Sequence, residues 1–112
     1  MRIEKITTDK KRFLELLLLG DEQEDMIDRY LERGDLFALF DPDLKSLCVV
    51  TDEGKGTCEL KNLATCARSQ GQGYATRLLE HVFRHYSGKY ETILAGTGEE
   101  PRILAFYERR GF

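Results

Sequence analysis

Hydrophobic and polar positions divide the chain into stretches of two different periods. Phe13, Leu14, Leu17 and Leu18, then Met26, Ile27, Tyr30 and Leu31, recur at helical spacing. The first set predicts a helix from a Thr8 cap to about Leu19, ended by Gly20. The second predicts a helix capped by Asp21, with Glu24 three residues on, and closed by Gly34. A short strand over Arg2 to Ile6 precedes them. Leu36 to Phe40, Leu47 to Thr51 and Thr57 to Thr65 read as strands, separated by turns at Asp41-Pro42-Asp43 and over residues 52–56. Such turns are too short for crossovers, so the three strands form an antiparallel meander. Ala75, Leu78, Leu79, Val82, Phe83 and Tyr86 then predict an amphipathic helix from Gln72 to about Tyr86, stopped by Gly88. Glu91 to Ala95 is a strand reached by a crossover and therefore parallel to its predecessor. Pro101 fits the first turn of a last helix over Arg102 to Arg110, with Gly111 beyond its end. The order β-α-α-β-β-β-α-β-α describes an α/β fold around a mixed sheet.

Length and composition narrow this picture. The 112 residues make one domain, spanning 1–112, with a modest core. A net charge of -3 argues against a nucleic-acid binder that works through a broad basic surface. The three cysteines, Cys48, Cys58 and Cys66, cannot all pair and match no zinc spacing, so they read as small hydrophobes in a reduced, cytoplasmic protein. The start of the chain has no signal-peptide layout, and Leu16 to Leu19 is far too short to span a bilayer, so no membrane role is expected.

The candidate chemistry sits where the strand ending at Thr65 runs through a glycine-bearing loop into the helix. Free N–H groups and the helix dipole make such a junction a seat for phosphate or diphosphate. A P-loop would need Lys followed by Ser or Thr after the second glycine, and neither is present. A dinucleotide fingerprint starting at Gly71 and Gly73 would put Thr76 at its third small position, in a chain whose preceding strands are antiparallel. The remaining pattern is R-x-x-G-x-G, formed by Arg68, Gly71 and Gly73. It resembles the pyrophosphate loop of the GNAT family of N-acetyltransferases, which use acetyl-CoA. Upstream, Glu59 to Thr65 looks like that family's fourth strand. Downstream, Phe106-Tyr107-Glu108-Arg109-Arg110-Gly111-Phe112 looks like its F-Y-E-x-x-G-F ending.

The resemblance implies roles residue by residue. Arg68, Gln70, Gly71, Gln72, Gly73, Tyr74 and Ala75 would hold the diphosphate, with Arg68 either pairing with a phosphate or bracing the loop. The main chain at Leu63 and Thr65 would pair with the pantetheine amides like an added strand. Tyr107 would be the general acid that protonates the departing thiolate, and Glu59 the general base that takes a proton from the amine. Each has a plainer alternative: a strand-to-helix turn, a core strand, a core tyrosine, and a partner for a lysine. Acetyl-CoA is the implied co-substrate and a small-molecule or peptide amine the acceptor, whose identity the sequence leaves open. A second reading, from another class, is a CoA-binding or regulatory module without turnover.

Other features weigh less. His81 and His85 stand four apart on one helix without an adjacent acidic ligand, so they read as a solvated face, and no metal is expected. The acidic run from Asp21 to Asp25 is helix-start charge, although the family's first two helices border the acceptor site and this run can attract a cationic amine. Glu100 stands where the family often has Asn. The family continues beyond the equivalent of Phe112 with two further strands. The sequence therefore predicts a truncated chain whose strand edge at 91–95 is covered by another copy.

Overall fold

The computed structural model describes residues 1–95 and the backbone of residues 102–106. A six-stranded sheet runs in the order β1 (Arg2–Ile6), β2 (Asp35–Phe40), β3 (Leu44–Gly54), β4 (Thr57–Thr65), β5 (Thr92–Ala95) and β6 (Arg102–Phe106). The pairs β1–β2, β2–β3 and β3–β4 are antiparallel, and β4–β5 is parallel. Helices α1 (Leu14–Gly20) and α2 (Glu24–Tyr30) cover one face, and α3 (Tyr74–His85) covers the other.

The apolar runs of β2 and β3 have this cause. Leu36, Ala38, Leu47 and Val49 pack with Leu17, Ile27 and Leu31 of the first layer. Phe37, Leu39, Cys48 and Val50 pack with Leu78, Val82 and Tyr86 of the second. Strands buried on both faces lose the usual polar alternation. Each fully buried Leu or Val contributes about 1.5–3 kcal/mol relative to exposure. Tyr86 also carries its hydroxyl to the Asp35 carboxylate, tying α3 to β2.

The fold class is the α/β mixed sheet expected, and several expected boundaries move for identifiable reasons. The first helix does not start from a Thr8 cap. Asp9 takes a left-handed conformation (φ 51°), and residues Lys10–Phe13 form a 3-10 turn before α1. Lys10 is buried there, donating to the carbonyls of Leu31, Glu32 and Gly34 just past α2. That anchor fixes the backbone ahead of α1 more firmly than a serine-type cap does. Leu16 joins Phe13 and Leu17 in the core, while Leu14 and Leu18 are half-buried. Asp21 does not cap α2 through N3; it accepts from the Gln23 N–H two residues on. Met26, expected inside, is 37% exposed.

The larger correction concerns the last helix expected over Arg102 to Arg110. Residues Arg102–Phe106 form β6, antiparallel to β5, and residues 107–110 lie outside the described ones. A short apolar run such as Ile103-Leu104-Ala105-Phe106 is ambiguous between the two periods. Here it satisfies the open hydrogen-bonding edge of β5, which the sequence had assigned to a second copy of the chain.

A β-bulge in β4 positions the functional end of the sheet. Val49 faces Asn62 while Val50 faces Leu60, so Lys61 is the extra residue. Side-chain parity shifts across it. Cys58, Leu60 and Leu63 pack toward α3, whereas Asn62 and Ala64 face α1 and α2. Asn62 is 3% exposed and donates to the Leu17 carbonyl (2.9 Å) and the Tyr30 hydroxyl (3.1 Å). Gly20 closes over it so tightly that a Cβ there would fall 2.1 Å from Asn62 Oδ1. Gly20→Ala is therefore expected to destabilise the fold by about 1–3 kcal/mol, as overpacking of a closed site does. Urea unfolding measures this, and an unchanged midpoint would show that α1 does not seat on Asn62.

Candidate active site

The site begins where β4 outruns β5. Their described pairing stops at Leu60 and Ala95, while β4 continues to Thr65. Ala64 O accepts from Ser46 Oγ (2.9 Å) and the Cys66 N–H donates to Lys45 O (2.8 Å), so both residues turn their main chain toward β3. By alternation, Leu63 and Thr65 turn theirs the other way, and among the described residues no strand meets them there. Gln70 Nε2 donates to the Thr65 carbonyl at 3.3 Å, and the Leu63 carbonyl lies beside Gly20.

Past Thr65 the chain makes a short 3-10 turn at Ala67–Ser69 and enters α3 through Gly71 and Gly73. Both glycines are left-handed, at φ 79° and 85°, and a Cβ on either would meet nothing within 4 Å. They are needed for backbone conformation and for the open space above them. The Ser69 N–H donates to Cys66 O and the Arg77 N–H to Gly73 O. Among the described residues, the N–H groups of residues 70–76 between them have no protein acceptor. Thr65, Ser69, Gln70, Gly71, Gly73 and the first turn of α3 enclose a cavity of about 320 Å³. Unengaged amides, left-handed glycines and a helix N-terminus together fit a diphosphate.

The structure thus brings together Thr65, Gln70, Gly71, Gly73, Tyr74 and Ala75 around the cavity, with Leu63 two residues before Thr65 on the open edge of β4. Gln72 is exposed with its amide on the Arg68 carbonyl (3.4 Å), and Arg68 is exposed without an ion-pair partner among the described residues. Tyr74 donates to Asp41 Oδ2 (2.8 Å), which fixes the start of α3 against the β2–β3 turn and holds the phenol's pKa above its ordinary value. Ser69 and Thr76 also line the cavity and were not anticipated.

A second cavity, of about 400 Å³, lies on the α1–α2 face of β4. Gly20 and Asp21 border it from the end of α1, Gln23, Met26 and Tyr30 from α2 and its entry, and Glu59 and Lys61 from β4. Glu59 is largely buried and pairs with Lys61 Nζ at 3.0 Å, so the plainer alternative of a lysine partner is present beside the candidate base. Tyr30 donates to Asp21 Oδ2 (3.2 Å), and burial pushes its phenol up to about 12. The site roles of Lys61, Asn62 and Tyr30 were missed; for Lys61 and Asn62 the signal is the break in alternation between Leu60 and Leu63, while Tyr30 reads only as an inward position of α2. Tyr107 and Glu100 lie outside the described residues.

His85 is exposed, as the solvated-face reading expects, whereas His81 is partly buried; both rings lie beside buried Phe37, at 5.1 and 5.9 Å between centroids. Among the described residues no group of three or more His, Cys, Asp or Glu is placed to hold a metal. Cys48, Cys58 and Cys66 are all free, and Cys48 and Cys58 are buried. No described helix is long and apolar enough to cross a membrane.

Comparison with known proteins decides the family. A sequence profile described as an acetyltransferase (GNAT) domain matches residues 37–112. The chain belongs to the GNAT acetyltransferase family. It is 30% identical over its whole length to the uncharacterized N-acetyltransferase YvbK of Bacillus subtilis, covering 74% of that protein. Among solved structures it is similar to a GNAT family acetyltransferase from Elizabethkingia anophelis with acetyl-CoA bound (TM-score 0.79, 30% identity). It is also similar to a Bacillus subtilis acetyltransferase in complex with CoA (TM-score 0.75, 30% identity). These alignments cover 88% of this chain but only 65% and 66% of those two chains, so it spans less than two thirds of their length.

The loop geometry makes a stability prediction of its own. Gly73→Ala should cost about 1–2 kcal/mol from the left-handed backbone alone, because nothing crowds the new methyl group. Denaturant unfolding reads this out, and an unchanged stability would mean that the loop relaxes out of its left-handed turn.

Proposed function

We propose that this chain is an acetyl-CoA-dependent N-acetyltransferase that transfers an acetyl group to a primary amine by direct attack in a ternary complex. The observation carrying this reading is the row of unengaged N–H groups from Gln70 to Thr76 beside the free main-chain edge of β4. It is supported by family membership and by relatives whose structures hold acetyl-CoA or CoA. Acetyl-CoA supplies an activated acetyl thioester. Gly71 and Gly73 turn their neighbours' amides toward the diphosphate, and exposed Arg68 offers a cation to it. Leu63 and Thr65 present main-chain groups to the pantetheine arm as an edge strand does, once the Gln70 amide leaves the Thr65 carbonyl.

The other end of the site handles protons. An alkyl amine is protonated near neutral pH and has no lone pair for attack until it loses that proton. Glu59 faces the second cavity and is our acceptor for it. The amine nitrogen then forms the C–N bond, the C–S bond breaks, and the sulfur keeps the electron pair. Tyr107 is our donor of the proton that neutralises it. A small-molecule or peptide amine is the acceptor class, and the free cysteines suit a reducing, cytoplasmic setting.

Glu59→Gln is expected to lower kcat by about 10²–10⁴-fold, the usual worth of a general base, and Tyr107→Phe to lower it comparably. The acetyl-CoA Kd should stay unchanged in both. Thiol release against an amine panel measures kcat, and calorimetry measures Kd. Acetyl-CoA binding without turnover on any amine would favour the binding-module reading, and absence of acetyl-CoA binding would remove the proposal.

A further inference from the structure

The charges around the second cavity are unequally compensated. Lys61 Nζ sits 3.0 Å from Glu59 Oε1, so those two charges largely cancel. Asp21 receives only neutral donors: the Tyr30 hydroxyl on Oδ2 (3.2 Å) and the Gln23 N–H on Oδ1 (3.3 Å). No cation among the described residues pairs with it, and nearby Lys11 is taken by Glu24 (2.8 Å) and Asp28 (2.6 Å). Tyr30 is itself fixed, because its oxygen accepts from Asn62 Nδ2, whose other proton goes to Leu17 O. The Asp21 carboxylate is therefore oriented by a partly buried chain of hydrogen bonds yet has no ion-pair partner among the described residues. Met26, partly exposed, adds an apolar side chain to the lining of the same cavity.

We propose that the acceptor is a dicationic amine, a primary amine joined by a short alkyl stem to a second protonated nitrogen, and that Asp21 binds the second nitrogen. Assignment of the first nitrogen to the Glu59 end rests on the acetyltransferase reading; the grip of Asp21 on a cation does not. The stem lies along Met26, and the cavity of about 400 Å³ falls in the size range of small-ligand sites. Tyr30 is a positioning residue: its hydroxyl acts through Asp21. A zwitterionic amino acid would have to displace Glu59 from Lys61 to place its carboxylate, which makes it the poorer occupant.

The test is calorimetric titration of the full chain with 1,4-diaminobutane and with 1-aminobutane. Wild type should bind the diamine about tenfold more tightly, the scale of one charge-assisted hydrogen bond. Asp21→Asn, nearly isosteric, should bring the diamine down to the affinity of the monoamine and leave the monoamine and acetyl-CoA unaffected. Tyr30→Phe should cost the diamine several-fold and the monoamine nothing. Equal affinities in wild type, no diamine binding, a preference that survives Asp21→Asn, or tighter binding of a zwitterionic amino acid would each overturn the assignment. Because the readout is binding, a failure of acetyl transfer with the diamine preference intact would remove the catalytic reading alone.

Discussion

The extra residue at Lys61 is the constraint on which the architecture of this end of the molecule depends. A strand with uninterrupted alternation would put Cys58, Leu60, Asn62 and Ala64 on one face. The bulge breaks that parity, so Asn62 and Ala64 turn toward α1 and α2 while Cys58 and Leu60 stay with α3. The described β4–β5 pairing also ends there, leaving the main chain from Lys61 to Thr65 open on one side. One local irregularity thus shapes both halves of the candidate site: the open edge at Leu63 and Thr65 and the β4 wall of the second cavity.

The two halves are held in different ways. The phosphate side is a loop of small and exposed residues, kept in place by the Tyr74–Asp41 hydrogen bond at the start of α3. Its donors are backbone groups, which need no side-chain ordering to face a ligand. The second cavity depends on buried side chains. Asn62 fastens the end of α1 and the hydroxyl of Tyr30 to β4, and Gly20 is small enough to let α1 come that close. Among the described residues Asn62 Oδ1 has no hydrogen-bond partner, and it rests against Gly20, which is a local cost in stability.

Much of this was legible in the residues. Continuous apolar runs marked β2 and β3, and Arg68, Gly71 and Gly73 marked the loop, because positive φ and close approach leave few residue choices. Leu63 and Thr65, whose main chain is unpaired by any described strand on one side, were singled out by the family resemblance and not by the local pattern. What escaped depends on long-range contacts. Lys10 reaching the carbonyls past α2 displaced the expected Thr8 cap. The run Arg102–Phe106 became a strand because β5 offered it an edge, which no local propensity records. The Asp21–Tyr30–Asn62 hydrogen bonds join residues far apart in sequence, so no local pattern pairs them.

Amide-resolved NMR with acetyl-CoA tests the central claim most directly, since it reports on the very nitrogens said to hold the ligand. Titration should move the N–H signals of Leu63, Thr65 and residues 70–76 more than any others, with NAD and ATP producing no comparable pattern. Signals in that segment that stay still while acetyl-CoA binds elsewhere, or that respond equally to NAD, would contradict the account.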